Sequence, residues 1–368
     1  MMTKIFEEAF PMYKQLFIPG PVNVTDDVLA KMATPMIGHR TKEISALQRG
    51  ISDKLRQVFY TQNEILLSTS SGSGLMEGAI RSCTAKRALV FSIGSFGDRW
   101  YKMAVTNGVP ADKVSVPWGQ AVTPELVEQE LAKGDYDLVA ITHTETSTGV
   151  ANPLYDIAPV LAKHPDIVWC VDAVSSACGM KIEVDKLGID VLITSTQKAL
   201  GLPPGMAICT ISEKAYKRTF DVEHRGLYFD LQEIYNYLKK KDYQYPSTPN
   251  ESLMFAMDYQ LDKILAEGLD NRFARHQAMA ARCRQWAKQY FALFPDERYL
   301  ADTLTVVDNT RQISVADLNN QLALRGKTLS NGYGDLKEKT FRIAHMADTT
   351  MEELEALLKD IEEILDLK

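Results

Sequence analysis

No run in the 368 residues is long and apolar enough to span a bilayer, and the N-terminal Met1-Met2-Thr3-Lys4-Ile5-Phe6-Glu7-Glu8 has no signal-peptide core. Basic excess is also missing: a formal net charge of -7 gives no support to nucleic acid or an anionic membrane as a partner. Cysteine is sparse. The five residues Cys83, Cys170, Cys178, Cys209 and Cys283 are odd in number and lack metal-ligand spacing, which argues against a disulfide framework and assigns no metal. Cys170 and Cys209 lie in apolar strand-like runs and read as buried free thiols, which fits a reducing cytoplasm. The terminal Asp366-Leu367-Lys368 is not a peroxisomal address, and there is no internal repeat, low-complexity tract or disordered linker. What is present is ordinary globular composition. Hydrophobic residues make up 45% of a chain too long for one small domain, enough for a sizeable core.

Against that plain background two segments stand out, Val168-Trp169-Cys170-Val171-Asp172-Ala173-Val174 and Ile193-Thr194-Ser195-Thr196-Gln197-Lys198-Ala199-Leu200. Each is a short apolar run ending abruptly in polar residues, the signature of a buried parallel strand delivering a side chain to a sheet edge. Taken singly, a lysine in this position is usually a solvated loop residue and an aspartate a turn former. Together they make a chemical pair. A lysine leaving an apolar strand loses hydration and its pKa falls, which suits it to a Schiff base with a carbonyl cofactor. A carboxylate one strand away keeps a pyridine nitrogen protonated, so that the ring acts as an electron sink. The pairing points to pyridoxal phosphate.

A third segment supplies the phosphate end. Ser68-Thr69-Ser70-Ser71-Gly72-Ser73-Gly74 follows Ile65-Leu66-Leu67 and precedes the helical pattern of Met76, Ala79 and Ile80. Small residues there let backbone N–H groups and hydroxyls approach a dianion at a helix N-terminus. The loop lacks the Gly-Lys-Ser/Thr ending of a nucleoside triphosphate site, and Gly72, Gly74 and Gly78 do not keep dinucleotide spacing. Its other reading is a flexible connection. The His143-x-Glu145 pair lacks the Pro-Cys-x-x-Cys partner of a zinc deaminase.

With these motifs in view, the chain resembles the class V aminotransferases of the fold-type I pyridoxal-phosphate enzymes, in their alanine-glyoxylate and serine-pyruvate branch. The resemblance runs through Phe17-Ile18-Pro19-Gly20-Pro21, Met36-Ile37-Gly38-His39-Arg40, Ser71-Gly72-Ser73 and Thr142-His143-Thr144-Glu145-Thr146-Ser147-Thr148-Gly149-Val150. It continues through Val171-Asp172-Ala173-Val174-Ser175-Ser176 and Ser195-Thr196-Gln197-Lys198-Ala199-Leu200, and ends at Phe341-Arg342-Ile343-Ala344-His345. It implies that Lys198 holds the cofactor covalently and then shuttles a proton, while Asp172 pairs with the ring nitrogen. Ser71, Gly72, Ser73 and Gln197 are implied for the phosphate, Thr146 for the ring hydroxyl, and Val174 and Phe96 for the two ring faces. Phe96 departs from the tryptophan of the best-known members, keeping stacking area but losing an indole N–H. Tyr245 and Thr248 are implied to reach the phosphate of a neighbouring subunit, which makes the expected assembly a homodimer with shared active sites. Arg342 is implied for the substrate carboxylate, since a planar guanidinium binds it bidentately. Cysteine desulfurases of the same class need a reactive cysteine on a mobile loop, whereas Cys283 sits in a helical pattern.

The strand-like runs ending near Phe91, Thr142, Asp172, Ser195 and Ile211 alternate with helices. The expected fold is therefore α/β, a mostly parallel sheet covered by helices, with a smaller α+β C-terminal domain. Boundaries fall at an N-terminal segment 1–20, a large cofactor-binding domain 21–249 and a small domain 250–368. A capping box of Thr350 and Glu353 opens a closing helix. The expected reaction moves an amino group from alanine or serine to glyoxylate or pyruvate. Alternatives are 2-aminoethylphosphonate or ureidoglycine transamination, or a non-catalytic binding protein of the same fold.

Overall fold

The computed structural model describes residues 14–368, so residues 1–13 of the expected N-terminal segment lie outside the described residues. Strand β1 (Gln15–Phe17) joins a sheet built from the far end of the chain. The large sheet follows, from β2 (Glu64–Ser68), β3 (Ala88–Ser92), β4 (Ala111–Ser115) and β5 (Leu138–Thr142). After a short ribbon of β6 (Thr144–Glu145) and β7 (Val150–Ala151) come β8 (Val168–Asp172), β9 (Val191–Ser195) and β10 (Ala207–Ile211). Their spatial order is β2-β10-β9-β8-β5-β3-β4.

The strands β3, β5, β8, β9 and β10 read as largely apolar runs because both faces are covered, whereas the edge strand β4 is partly exposed. Ala88 and Val90 of β3 face one core while Leu89 and Phe91 face the other, and β5 and β8 split their side chains in the same way. On one face lie the helices Gly72–Cys83, Ser95–Thr106 and Leu231–Lys240, contributing Ile80, Trp100 and Ile234. On the other lie Lys42–Phe59, Leu154–Leu161 and Glu251–Glu267, contributing Leu55, Ile157 and Met257.

Strands β4, β3, β5, β8 and β9 run parallel, as the alternation of runs and helices predicts, but β10 is antiparallel to β9 and β2. The physical reason is the connection: no helix intervenes between Ser195 and Ala207, so the chain returns beside the strand it has just left. Strand β2 consequently points the same way as β9. Its C-terminal end, with the Ser68–Gly74 loop, reaches the same sheet edge as Asp172 and Lys198. Register confirms the alignment, since Ser68 and Ser195 both stand opposite Ala207.

Strands β11 (Ala292–Leu293), β12 (Leu304–Asp308), β13 (Lys327–Asn331) and β14 (Thr340–Ala344) complete the second sheet, in the order β1-β13-β14-β12-β11. Its separate core gathers Trp286, Leu318, Phe341 and Leu357 from the sheet and from the helices Leu269–Tyr290, Val315–Leu324 and Met351–Ile364. The capping box predicted for the last helix is present: Thr350 Oγ1 accepts from the Glu353 N–H at 3.2 Å, and the Thr350 N–H donates to Glu353 Oε2 at 2.8 Å. Among the described residues no helix is long and apolar enough to cross a membrane.

Candidate active site

In the large sheet the order of connections reverses beside β3 and β5: β3 leads outward to β4, while β5 leads to β8 on its other side. Crevices at such reversals, outside the C-terminal strand ends, are where open α/β sheets take ligands. Here a cavity of about 350 Å³ opens at that edge. The predicted residues Ser71, Gly72, Ser73, Phe96, Thr146, Asp172, Val174, Gln197 and Lys198 all line it, brought together from turns after five different strands.

Lys198 and Asp172 are nearly sealed from solvent. Burial presses each toward its uncharged form. The Lys198 ammonium is lowered to about 8, with the Asp172 charge acting against the shift. Asp172 is raised to about 6, opposed by the Val174 N–H that donates to its Oδ1 at 2.9 Å and by Lys198. Lys198 Nζ donates to the carbonyl of Pro19. Gly20, in the left-handed region at φ +101°, passes directly over the lysine stem.

The phosphate end has the donors such a group needs. Ser71 is the N-cap of the helix Gly72–Cys83 yet makes no side-chain cap, so the first N–H groups of the helix are free to face the cavity. Ser195 Oγ and the Gln197 side-chain Oε1 are buried and lack a protein partner, and both residues line the cavity. Rotation of the glutamine amide presents its NH₂ in place of that oxygen. Gly72 is needed by packing as well as by approach: a β-carbon there would lie 2.7 Å from Val174 Cγ2. With an acid for a ring nitrogen, an amine for an aldehyde and unpartnered donors for a dianion, the residues fit pyridoxal phosphate.

Glu145 and Tyr333 do not line the cavity but support Phe96, which does. Glu145, fully buried, accepts from the N–H groups of Phe96 and Gly97 at 3.0 and 3.1 Å and from Ser147 Oγ at 2.6 Å. It thus caps the helix that carries Phe96, and burial raises its pKa against those hydrogen bonds. Tyr333 packs its ring 5.7 Å from that of Phe96 and lies 5.5 Å from the Arg342 guanidinium carbon. Nothing in the spacing of Glu145 or Tyr333 signals their contacts with the Phe96 segment, because these join elements distant in sequence.

Arg342 stands on β14, 9% exposed, and does not line the cofactor cavity itself. Its Nε donates to the Asn331 carbonyl at 3.0 Å and its Nη1 to the Thr146 carbonyl at 3.4 Å. It makes no ion pair with an acid among the described residues, and burial lowers its pKa to about 10. Thr146 is buried with its hydroxyl 2.6 Å from that of Ser175. Tyr245 and Thr248 are not part of this cavity. Tyr245 is buried beside Ser68 and Tyr228, and Thr248 is exposed. Arg40 reaches the carbonyls of Tyr245 and Pro246, tying the Met36–Arg40 segment to that stretch. His143 and His345 are buried hydrogen-bonded histidines, against Ser176 Oγ at 2.8 Å and Thr305 Oγ1 at 3.0 Å. Cys283 is buried in a helix, as its pattern predicts.

The chain is similar to known proteins over most of its length. The family model described as aminotransferase class-V matches residues 27–357. An uncharacterized aminotransferase of Methanocaldococcus jannaschii is 36% identical over 95% of this chain and 92% of its own length. A serine–glyoxylate aminotransferase of Arabidopsis thaliana is 29% identical over 96% of this chain and 91% of its own. Among solved structures, an alanine–glyoxylate aminotransferase from Nostoc sp. superposes with a TM-score of 0.91 at 26% identity, covering 97% of this chain and 96% of the other.

Proposed function

Because the chain belongs to the class V aminotransferases, and so is a pyridoxal-phosphate-dependent transaminase, we propose that it moves an amino group from alanine or serine to a small 2-oxo acid, glyoxylate first and pyruvate second. The observation that carries this reading is Arg342: a buried guanidinium with no acid partner among the described residues, set beside a cavity that holds the amine and the acid the cofactor requires. A carboxylate is common to donor and acceptor, so one arginine serves both half-reactions. The names of the serine–glyoxylate and alanine–glyoxylate relatives support the choice of donor and acceptor.

Each residue then has a task. Pyridoxal phosphate, when bound, supplies an electron sink for bonds at the substrate α-carbon. Lys198 Nζ would anchor it and, once the incoming substrate amine has displaced it, would take the α-proton as a free amine and give it back later in the half-reaction; burial, which lowers its pKa to about 8, favours that uncharged form. Asp172 would keep the ring nitrogen protonated through its carboxylate. Ser71, Gly72, Ser73 and Gln197 would hold the phosphate, Thr146 would serve the ring hydroxyl, and Val174 and Phe96 would cover the ring. Arg342 orients the substrate carboxylate, and Tyr333 with Phe96 keeps water from that side.

In this reading Tyr245 and Thr248 complete the phosphate site of a second copy, so the working unit is a cytoplasmic homodimer. The chain divides into segments 1–20, 21–249 and 250–368, supported by the separate core around β12 and β14, although the helix Glu251–Glu267 packs its Met254 and Met257 with the large sheet. The test is a donor panel against glyoxylate and pyruvate with the purified protein. Glycine formed from glyoxylate at the expense of alanine or serine supports the proposal. Amino transfer from 2-aminoethylphosphonate with none from any α-amino acid would replace it.

A further inference from the structure

Arg99 emerges from the helix Ser95–Thr106 one turn after Phe96 and lines the cavity. Among the described residues lining it, the only cations are Lys198 and Arg99. Arg99 Nη1 donates to Ser73 Oγ at 3.1 Å, and its guanidinium carbon lies 4.8 Å from the Phe96 ring centroid. It therefore stands between the residue that covers the ring and the loop that receives the phosphate. Among the described residues no acid forms an ion pair with it; Asp172, the acid lining the same cavity, acts on it only through space. Its neighbour Asp98 is committed to Ser92 Oγ at 2.9 Å and to Lys113 at 2.8 Å, and Glu145 is occupied by Phe96, Gly97 and Ser147.

The charge inventory at this end is otherwise one-sided. Backbone N–H groups, the Ser195 hydroxyl and the Gln197 amide are neutral donors, whereas a phosphate monoester carries close to two negative charges at neutral pH. Lys198 is committed to the aldehyde. Burying a dianion against dipoles alone is costly, and a guanidinium in hydrogen-bond reach of the same loop removes most of that cost.

We propose that Arg99 is the counter-charge of the cofactor phosphate, held against Ser73 until the phosphate takes that place and stacked on Phe96 so that its planar fork faces the helix N-terminus. The assignment rests on the phosphate lying at Ser71–Ser73. It distinguishes Arg99 from Arg342, which has no contact with that loop and is left for the substrate.

The test compares two aldehydes that differ only in the phosphate. Cofactor-free wild type, Arg99→Gln and Arg99→Lys are titrated with pyridoxal phosphate and with pyridoxal, reading the visible absorbance of the lysine-linked chromophore. Loss of a charge-assisted contact predicts that Arg99→Gln weakens pyridoxal phosphate roughly ten- to a hundredfold and pyridoxal less than about threefold. Arg99→Lys, a point charge without the fork, is expected to fall between. Equal weakening for both aldehydes, or undiminished affinity for pyridoxal phosphate, overturns the proposal. If Arg99→Gln does not fold, Arg99→Lys decides alone: a lowered ratio of the two affinities supports it and an unchanged ratio overturns it. Borohydride reduction and peptide mapping of the wild type keep the two inferences apart. A pyridoxyl label away from Lys198 refutes the site itself, whereas a label on Lys198 with an unchanged ratio refutes only Arg99.

Discussion

A β-carbon on Gly20 would lie 2.7 Å from Cδ of Lys198 and 2.8 Å from its Cε, so the chain can cross the Lys198 side chain at this distance only as glycine. The backbone adds a second constraint, because φ +101° is strained for any residue with a side chain. Gly20→Ala is expected to cost about 1–3 kcal/mol of stability and to lower the fraction of protein that forms the lysine-linked chromophore. Thermal unfolding and cofactor absorbance measure the two effects. An unchanged melting temperature with full loading would show that Lys198 moves freely away from the loop.

Lys198→Ala is expected to abolish transamination while the protein folds and holds cofactor without a covalent bond. Only an amine at this position can both attach to the aldehyde and carry the α-proton. Circular dichroism and turnover of alanine with glyoxylate check this, and full activity in the folded variant would remove Lys198 from the reaction.

Asp172→Asn keeps the volume and removes the charge. Without a counter-ion the ring nitrogen loses its proton, and the rate should fall by several orders of magnitude; a loss of less than about tenfold would count against the assignment. Stability should move the other way. Asp172 titrates near 6 in the folded state against 3.8 ordinarily, so the native state binds this proton more tightly than the unfolded chain. The wild type therefore loses stability as pH rises from about 4 to about 6, and the loss persists at neutral pH. Relative to wild type, cofactor-free Asp172→Asn should gain up to about 3 kcal/mol over that window. Urea unfolding at pH values on both sides of it reads the difference, and a pH-independent difference would mean that Asp172 is solvated.

Arg342→Lys should weaken both half-reactions, since a point charge cannot reproduce a bidentate pair. For each carboxylate substrate kcat/KM is expected to drop roughly ten- to a hundredfold, with cofactor content unchanged. Single-turnover spectra with alanine and serine make the comparison. A defect confined to cofactor loading would reassign Arg342 to a structural contact with Thr146.

Glu145→Gln replaces an acceptor-only cap by a group that must turn an NH₂ toward either the Phe96 and Gly97 N–H groups or the Ser147 hydroxyl. A loss of about 1–3 kcal/mol is expected, with weaker cofactor binding because the Phe96 helix start loosens. Urea unfolding and cofactor titration together test it, and a stability change without any change in cofactor affinity would confine Glu145 to the fold.

Much of this site is legible in the sequence. Asp172 and Lys198 announce themselves because each ends an apolar run, and a polar side chain at the edge of a buried strand has few purposes there. The Ser71–Ser73 loop is legible for a similar local reason: small residues before a helical pattern leave backbone N–H groups bare. Arg342 and Phe96 are legible only through resemblance, since a lone arginine or phenylalanine carries no pattern of its own. What the sequence could not express were relations set by the packing of distant elements. The antiparallel return of β10 follows from a connection too short for a crossover, and it is this return that turns β2, with the Ser68–Gly74 loop, toward the same edge as Asp172. The capping of the Phe96 helix by Glu145, the packing of Tyr333 on Phe96, and the setting of Arg99 against Ser73 join residues 26 to 237 positions apart. Local composition determines which strands and turns form; which side chains then meet across the sheet edge is decided by packing, because burial energy depends on the neighbours a residue acquires and not on its place in the chain.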